Sequence, residues 1–232
     1  MRMSNWTAST SGASGRRDRA PVPAYDGRVT VDARSAPDRL TVRRVARRER
    51  ARVAAMLAES FVDDALSRWI YRDHPARMRW VRADFRLRLA QHGADGLAFV
   101  TPELTGAAIW AAPDHWKGHP SGQLRAFGAI PRVARNHHRI TAMQRELDRR
   151  HPATPHFYLA LLGVASERRR TGLATALLAP GLAQADRRSA PAYVEAGSAA
   201  AAALYERVGF RAVGEVRVAD APTVTLMWRE PR

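Results

Sequence analysis

Between Leu162 and Ala185 the chain reads LGVASERRRTGLATALLAPGLAQA: an apolar run, three arginines and a glycine, then a second apolar run at helical spacing. A strand that feeds a helix through such a turn commits this part of the chain to a layered α/β arrangement. The turn also suggests chemistry. A helix N-terminus presents unpaired N–H groups and a partial positive charge, which suit a phosphate. Gly172 allows a close backbone approach, Ala174 keeps the next position small, and Arg169 and Arg170 add cationic donors. The pattern lacks the Gly-Lys-Ser/Thr of a P-loop and the three glycines of a dinucleotide fingerprint. Taken alone it also fits an ordinary connection with solvent-facing arginines.

The flanking segments extend the pattern. HFYLALLGV reads as a buried strand, TGLATALLAPGLAQADRR as a helix and PAYVEAG as a strand. SAAAAALYERVGF is a second helix closing on Gly209, and FRAVGEVRV with TVTLMW finishes as an antiparallel pair. Pro180 falls inside the first of these helices and predicts a kink or break. Upstream, RLTVRRVA alternates as a short strand. Two short helices follow, separated by VDDALS. RMRWVRADFRLRLAQHG places Trp80, Val81, Phe85 and Leu89 on one helical side, and GLAFVT and GAAIWAAP form a strand pair. Gln123 to Arg150 predicts one or two helices broken near Pro131. The whole is an α/β (α+β) pattern with a mixed sheet. Residues 1–38, rich in Ser, Thr, Gly, Pro and Arg without apolar periodicity, are expected to be a disordered basic leader, and 39–232 one domain.

Composition narrows the function classes. The chain has no cysteine, which removes disulfides, thiolate metal sites and cysteine nucleophiles, and fits a cytoplasmic setting. No run is apolar enough for a transmembrane helix, and no central apolar segment marks a secretory signal. The net charge of +16 raises the question of nucleic acid. The cations are almost all arginine, however, with Lys117 the single lysine, and they are scattered rather than gathered with aromatics. Nucleic acid is therefore not the expected partner.

Arg169, Gly172 and Ala174 match the Arg/Gln-x-x-Gly-x-Gly/Ala signature of the GNAT acyltransferases, and LYERVGF matches that superfamily's second signature downstream. Residues 156–232 resemble the C-terminal half of the puromycin N-acetyltransferase group. GAAIWAAP resembles that group's Trp-x-x-Pro strand, and APTVTLMWREP its last strand. As topology the likeness extends over roughly 40–232. It implies a twisted, mostly antiparallel sheet flanked by helices, with a V-shaped splay between central strands. It also implies acetyl-coenzyme A as donor and a primary amine of a small molecule as acceptor, an aminonucleoside antibiotic for instance, with resistance or detoxification as the outcome. Under the same resemblance Leu162, Gly163 and Val164 hold the pantetheine arm through backbone groups. Arg169, Arg170, Thr171, Gly172, Leu173, Ala174 and Thr175 hold the pyrophosphate.

Amide formation needs a neutral amine, a donor for the developing oxyanion and a proton for the departing thiolate. A backbone N–H near Val164 is the oxyanion candidate. Tyr205 stands at the family position of the general acid, and a phenol near pKa 10 holds a proton at neutral pH; the alternative is a half-buried helix aromatic. Glu195 is a candidate to bind or deprotonate the amine, or else a structural partner for an arginine. Trp110 is the candidate substrate wall. Asp63 and Asp64 suit helix capping better than substrate attraction. Two departures stand out: Ala201 replaces a frequent asparagine, and Arg170 a frequent glycine. His115 and His119 flank Gly118 and precede Pro120, so no metal pair is expected. A protein N-terminus or lysine as acceptor, or a non-catalytic acyl-coenzyme A-binding module, are the alternative readings.

Overall fold

The short apolar segments on either side of the arginine-rich turn assemble around one sheet. The computed structural model describes residues 29–31, 40–71, 77–92, 97–117 and 137–232. In chain order it contains β1 (Val29–Val31), β2 (Leu40–Arg44), α1 (Arg50–Ser60), α2 (Ala65–Tyr71), α3 (Arg77–His92), β3 (Ala98–Val100) and β4 (Gly106–Ala111). Then come α4 (His137–Arg150), β5 (Phe157–Val164), α5 (Leu173–Arg187), β6 (Ala192–Ala196), α6 (Ala199–Arg207), β7 (Arg211–Val216) and β8 (Val224–Arg229). The predicted break near Pro131 lies outside the described residues. Val29–Val31, inside the segment expected as a leader, pairs antiparallel with β2.

The strand order is β1-β2-β3-β4-β5-β6-β8-β7, and only β5 and β6 run parallel. That is the pair joined by a helical crossover, α5, as a parallel connection requires. Their register is short: Phe157, Tyr158 and Leu159 face Ala192, Tyr193 and Val194. Beyond Leu159, β5 stays with β4 as far as Val164, while β6 continues along β8 through Glu195 and Ala196. The sheet parts there, which is the splay the resemblance implies.

A bulge accompanies the parting. Ile109 faces Leu161 and Trp110 faces Leu159, so Ala160 is an extra residue in β5. Before it, Phe157 and Leu159 pack on the α5 face with Trp110, Leu177, Leu178 and Leu182. After it, Leu161 joins Val53, Leu57, Val81 and Phe85 beneath α1 and α3. Gly163 follows on that same side. A Cβ there would lie 2.5 Å from Ser60 Oγ and 2.7 Å from a Leu57 methyl, so α1 rests directly on the strand backbone.

Of the kink or break expected at Pro180, the break does not occur: α5 runs unbroken through it. An interior proline costs roughly 3 kcal/mol in a helix. Burial offsets it here: Ala176, Leu177, Leu178, Pro180, Gly181 and Leu182 are all covered. Gly181 lies so close to the Trp110 ring that a side chain at that position would collide with it.

Candidate active site

The turn after β5 is built from its own sequence. Thr171 Oγ1 donates to the Arg168 carbonyl at 2.7 Å, and Gly172 is the N-cap of α5 at φ 84°. No side chain caps this end, so the first N–H groups of α5 are left to a ligand or to solvent. Arg169 is tied back: its Nη2 donates to the Ser60 carbonyl at 2.8 Å, at the C-terminus of α1. Arg170 adopts φ 62°, a left-handed conformation that costs a non-glycine residue roughly 1–2 kcal/mol. Among the remaining residues of the stretch, Leu173 is core, Ala174 half-buried and Thr175 exposed. Relief of the strain sets an expected outcome. Arg170→Gly raises stability by about 1 kcal/mol once the greater freedom of an unfolded glycine is subtracted, read as a higher denaturant midpoint. A simultaneous rise in KM for the acyl donor would mark Arg170 as one of its contacts.

The parted sheet opens into a cavity of about 520 Å³. Its walls come from α2, α3 and α4 on one side and from β5, β6 and α6 on the other. Leu162, Glu195 and Tyr205 all line it, so the splay brings together residues from three elements singled out in the sequence. Tyr205 is 6% exposed, and its ring packs on Phe210 with centroids 5.8 Å apart. Burial pushes its phenol above the usual 10, so it keeps its proton at neutral pH and has one to give.

Glu195 meets no arginine among the described residues. Its Oε2 accepts a hydrogen bond from the Tyr158 hydroxyl at 3.0 Å. Tyr158 is held well above the usual phenol range, first by burial and then by the Glu195 carboxylate, so it stays a donor. The sequence did not single out Tyr158, His151, Asp84 or Arg88, which also line the cavity. Asp84 and Arg88 form an i,i+4 pair at 3.0 Å, and this spacing is the one local signal that could have found them. Asp64 caps α2, its Oδ1 accepting from the Ser67 N–H at 2.8 Å, and also reaches the cavity wall. Ser198 caps α6 by accepting from the Ala201 N–H at 3.2 Å.

Trp110 is corrected. It is wholly buried on the α5 face, packed over Gly181, and forms no part of the cavity wall. The alternation of β4 decides its direction: Ala108 and Trp110 share the α5 face, while Ala107 and Ile109 share the α1 face. The aromatic wall is supplied instead by Phe61, Phe85, Trp116 and Tyr158. Among the described residues no group of three or more His, Cys, Asp or Glu side chains could hold a metal. No described helix is long and apolar enough to cross a membrane.

A family model described as an acetyltransferase (GNAT) domain matches residues 132–230. A Corynebacterium glutamicum structure described as histone acetyltransferase HPA2 and related acetyltransferase is 27% identical, with a TM-score of 0.62, over 82% of this chain and 96% of that one. Arylalkylamine N-acetyltransferase 2 from Aedes aegypti shares the fold at 13% identity and a TM-score of 0.57, over 84% of this chain and 100% of its own. An N-acetyltransferase from Staphylococcus aureus does so at 16% identity and 0.55, over 81% and 98%. The domain match and the shared fold support an N-acetyltransferase enzyme, with the splayed sheet as its scaffold.

Proposed function

We propose that the protein uses acetyl-coenzyme A to acetylate the primary amine of a small, ring-bearing molecule, of which an aminonucleoside of the puromycin kind is the best-fitting class. One observation carries the reading: Glu195 of β6 and Tyr205 of α6 face one cavity of about 520 Å³ walled by aromatic side chains. Three helices cover that cavity on the acceptor side, which suits a small molecule better than a polypeptide.

The donor site fits the chain's own features. The edge of β5 from Ala160 to Val164, which β6 leaves, offers backbone groups to the amide-bearing pantetheine arm. The uncapped start of α5, reached through Gly172, suits the pyrophosphate. When bound, acetyl-coenzyme A supplies a thioester-activated acetyl group. Glu195 holds the incoming ammonium by charge, and Tyr205 holds a proton ready for a departing sulfur. The ring walls exclude water and orient the amine.

The reading is checked by thiol release from acetyl-coenzyme A across a panel containing puromycin, simple arylalkylamines and peptides with free N-termini or lysines. Turnover restricted to the small aromatic amines is the expected result. Turnover of peptides alone would overturn the small-molecule reading.

A further inference from the structure

Glu195 has a second neighbour in the cavity. His151, immediately after α4, lies flat on Trp116 with ring centroids 3.7 Å apart and planes 18° from parallel. Its side chain is 3% exposed and lines the same cavity as Glu195. His151 Nδ1 stands 3.8 Å from Glu195 Oε1. That is too far for a hydrogen bond between them, yet one nitrogen set to the side of the line joining them makes an ordinary bond of about 2.8 Å to each. Oε2 is already engaged by Tyr158, so Oε1 is the carboxylate atom that faces the gap. His151 Nε2 has no hydrogen-bond partner among the described residues, so the proton position on the ring is governed at Nδ1.

The surroundings of the imidazole are nearly all aromatic. Tyr158 of β5 and Tyr193 of β6 stand edge-on to it at 5.4 and 5.0 Å, and His156 lies at 4.9 Å. Lys117 sits 4.9 Å from the Trp116 ring. Burial pushes His156 down, so it is neutral, while burial and Glu195 push both tyrosines up, so they are neutral as well. Among the described residues, Glu195 is the carboxylate within ion-pairing distance of His151.

We infer that His151 is the catalytic proton acceptor for the amine, working beside Glu195; the inference rests on the amine-acetylation reading above. The primary ammonium bridges Glu195 Oε1 and His151 Nδ1. One N–H bond of the ammonium breaks as an N–H bond to Nδ1 forms. This leaves a neutral amine with a free lone pair, and an imidazolium facing the carboxylate. The roles divide by chemistry: carboxylates as a class are weak proton acceptors near pH 7, whereas imidazoles titrate near that pH. Glu195 attracts the charge and His151 removes the proton. Trp116 is a positioning residue that holds the ring in place.

The test compares wild type with His151→Gln between pH 5.5 and 9.5, using puromycin and 2-phenylethylamine as acceptors. At pH 7 kcat/KM falls by about 10²- to 10⁴-fold in the variant. The gap narrows as pH rises, because solvent then supplies the neutral amine. A loss of the same factor at every pH, or no loss, overturns the inference. If the variant does not fold, ¹⁵N NMR of His151 in the wild type decides. Its Nδ1 resonance shifts on addition of a turned-over amine if the inference holds, and an unmoved resonance overturns it. If wild type turns over neither amine, the small aromatic amine reading has failed by itself. A Nδ1 shift with 2-phenylethylamine would then still uphold the amine site, and no shift would reject it.

Discussion

Tyr205→Phe is expected to lower kcat by about 10²- to 10⁴-fold, the usual contribution of a positioned general acid, with little change in KM for the amine. The substitution removes one oxygen and leaves the ring packed on Phe210. No hydrogen bond from the Tyr205 hydroxyl to another described residue is recorded, so stability should stay within about 0.5 kcal/mol. That separation makes the measurement informative: a folded variant with the wild-type melting temperature and a collapsed kcat assigns the proton to the phenol. Unchanged kcat would reduce Tyr205 to a core aromatic. Because burial raises its pKa, the basic limb from Tyr205 ionisation lies above pH 10, and activity lost below that pH must come from another group.

The second large effect is structural. Asp186, in the last turn of α5, accepts two hydrogen bonds from Arg229 of β8, at 2.7 and 2.9 Å, and one from the Arg232 backbone N–H at 2.9 Å. The Arg229 side chain is 4% exposed, and its Nε also donates to the Val208 carbonyl at 3.1 Å. Asp186→Ala strands this buried guanidinium. We expect a loss of about 3 kcal/mol, the lower end for a broken buried pair because Asp186 is 26% exposed. For a chain of this size that is roughly 6–12 °C in Tm. Asp186→Ala combined with Arg229→Met should cost less than Asp186→Ala alone, since no charge is left buried.

The same pair carries a pH signature. Its arginine partner holds the Asp186 carboxyl below the usual aspartate value. Its contribution is therefore fully present above the unfolded value near 3.9, and is lost as pH falls through the lower folded value. Urea midpoints of wild type and Asp186→Asn should differ at pH 7 and begin to converge only once the pH falls below about 4. Equal midpoints at pH 7 would show that the pair contributes nothing net.

Neighbouring residues made much of this molecule legible in advance. The Arg169–Ala174 turn, the Gly209 stop and the β7–β8 pair all depend on chemistry within a few positions. Tyr205 could be placed because its motif is contiguous. Two features had no such local record, and a third ran against it. Every residue of β4 is buried, so no alternation told which face Trp110 would take. The extra residue at Ala160 leaves no mark in an apolar strand, although it turns Leu161 and Gly163 onto the α1 side. Pro180 signalled a kink or break, and the burial of α5 keeps the helix unbroken there.

The sharpest contrast is at the amine end of the cavity. Glu195 was visible as a carboxylate at the end of a strand, with arginine as its expected structural partner. The fold instead sets it against Tyr158 and His151. Periodicity, caps and turns are written in residues a few positions apart, so a chain declares them along its length. The meeting of His151 with Glu195 depends on where β5 leaves β6 and on how α4 closes over the opening. Those positions are set by packing between distant segments, and no short stretch of sequence contains them.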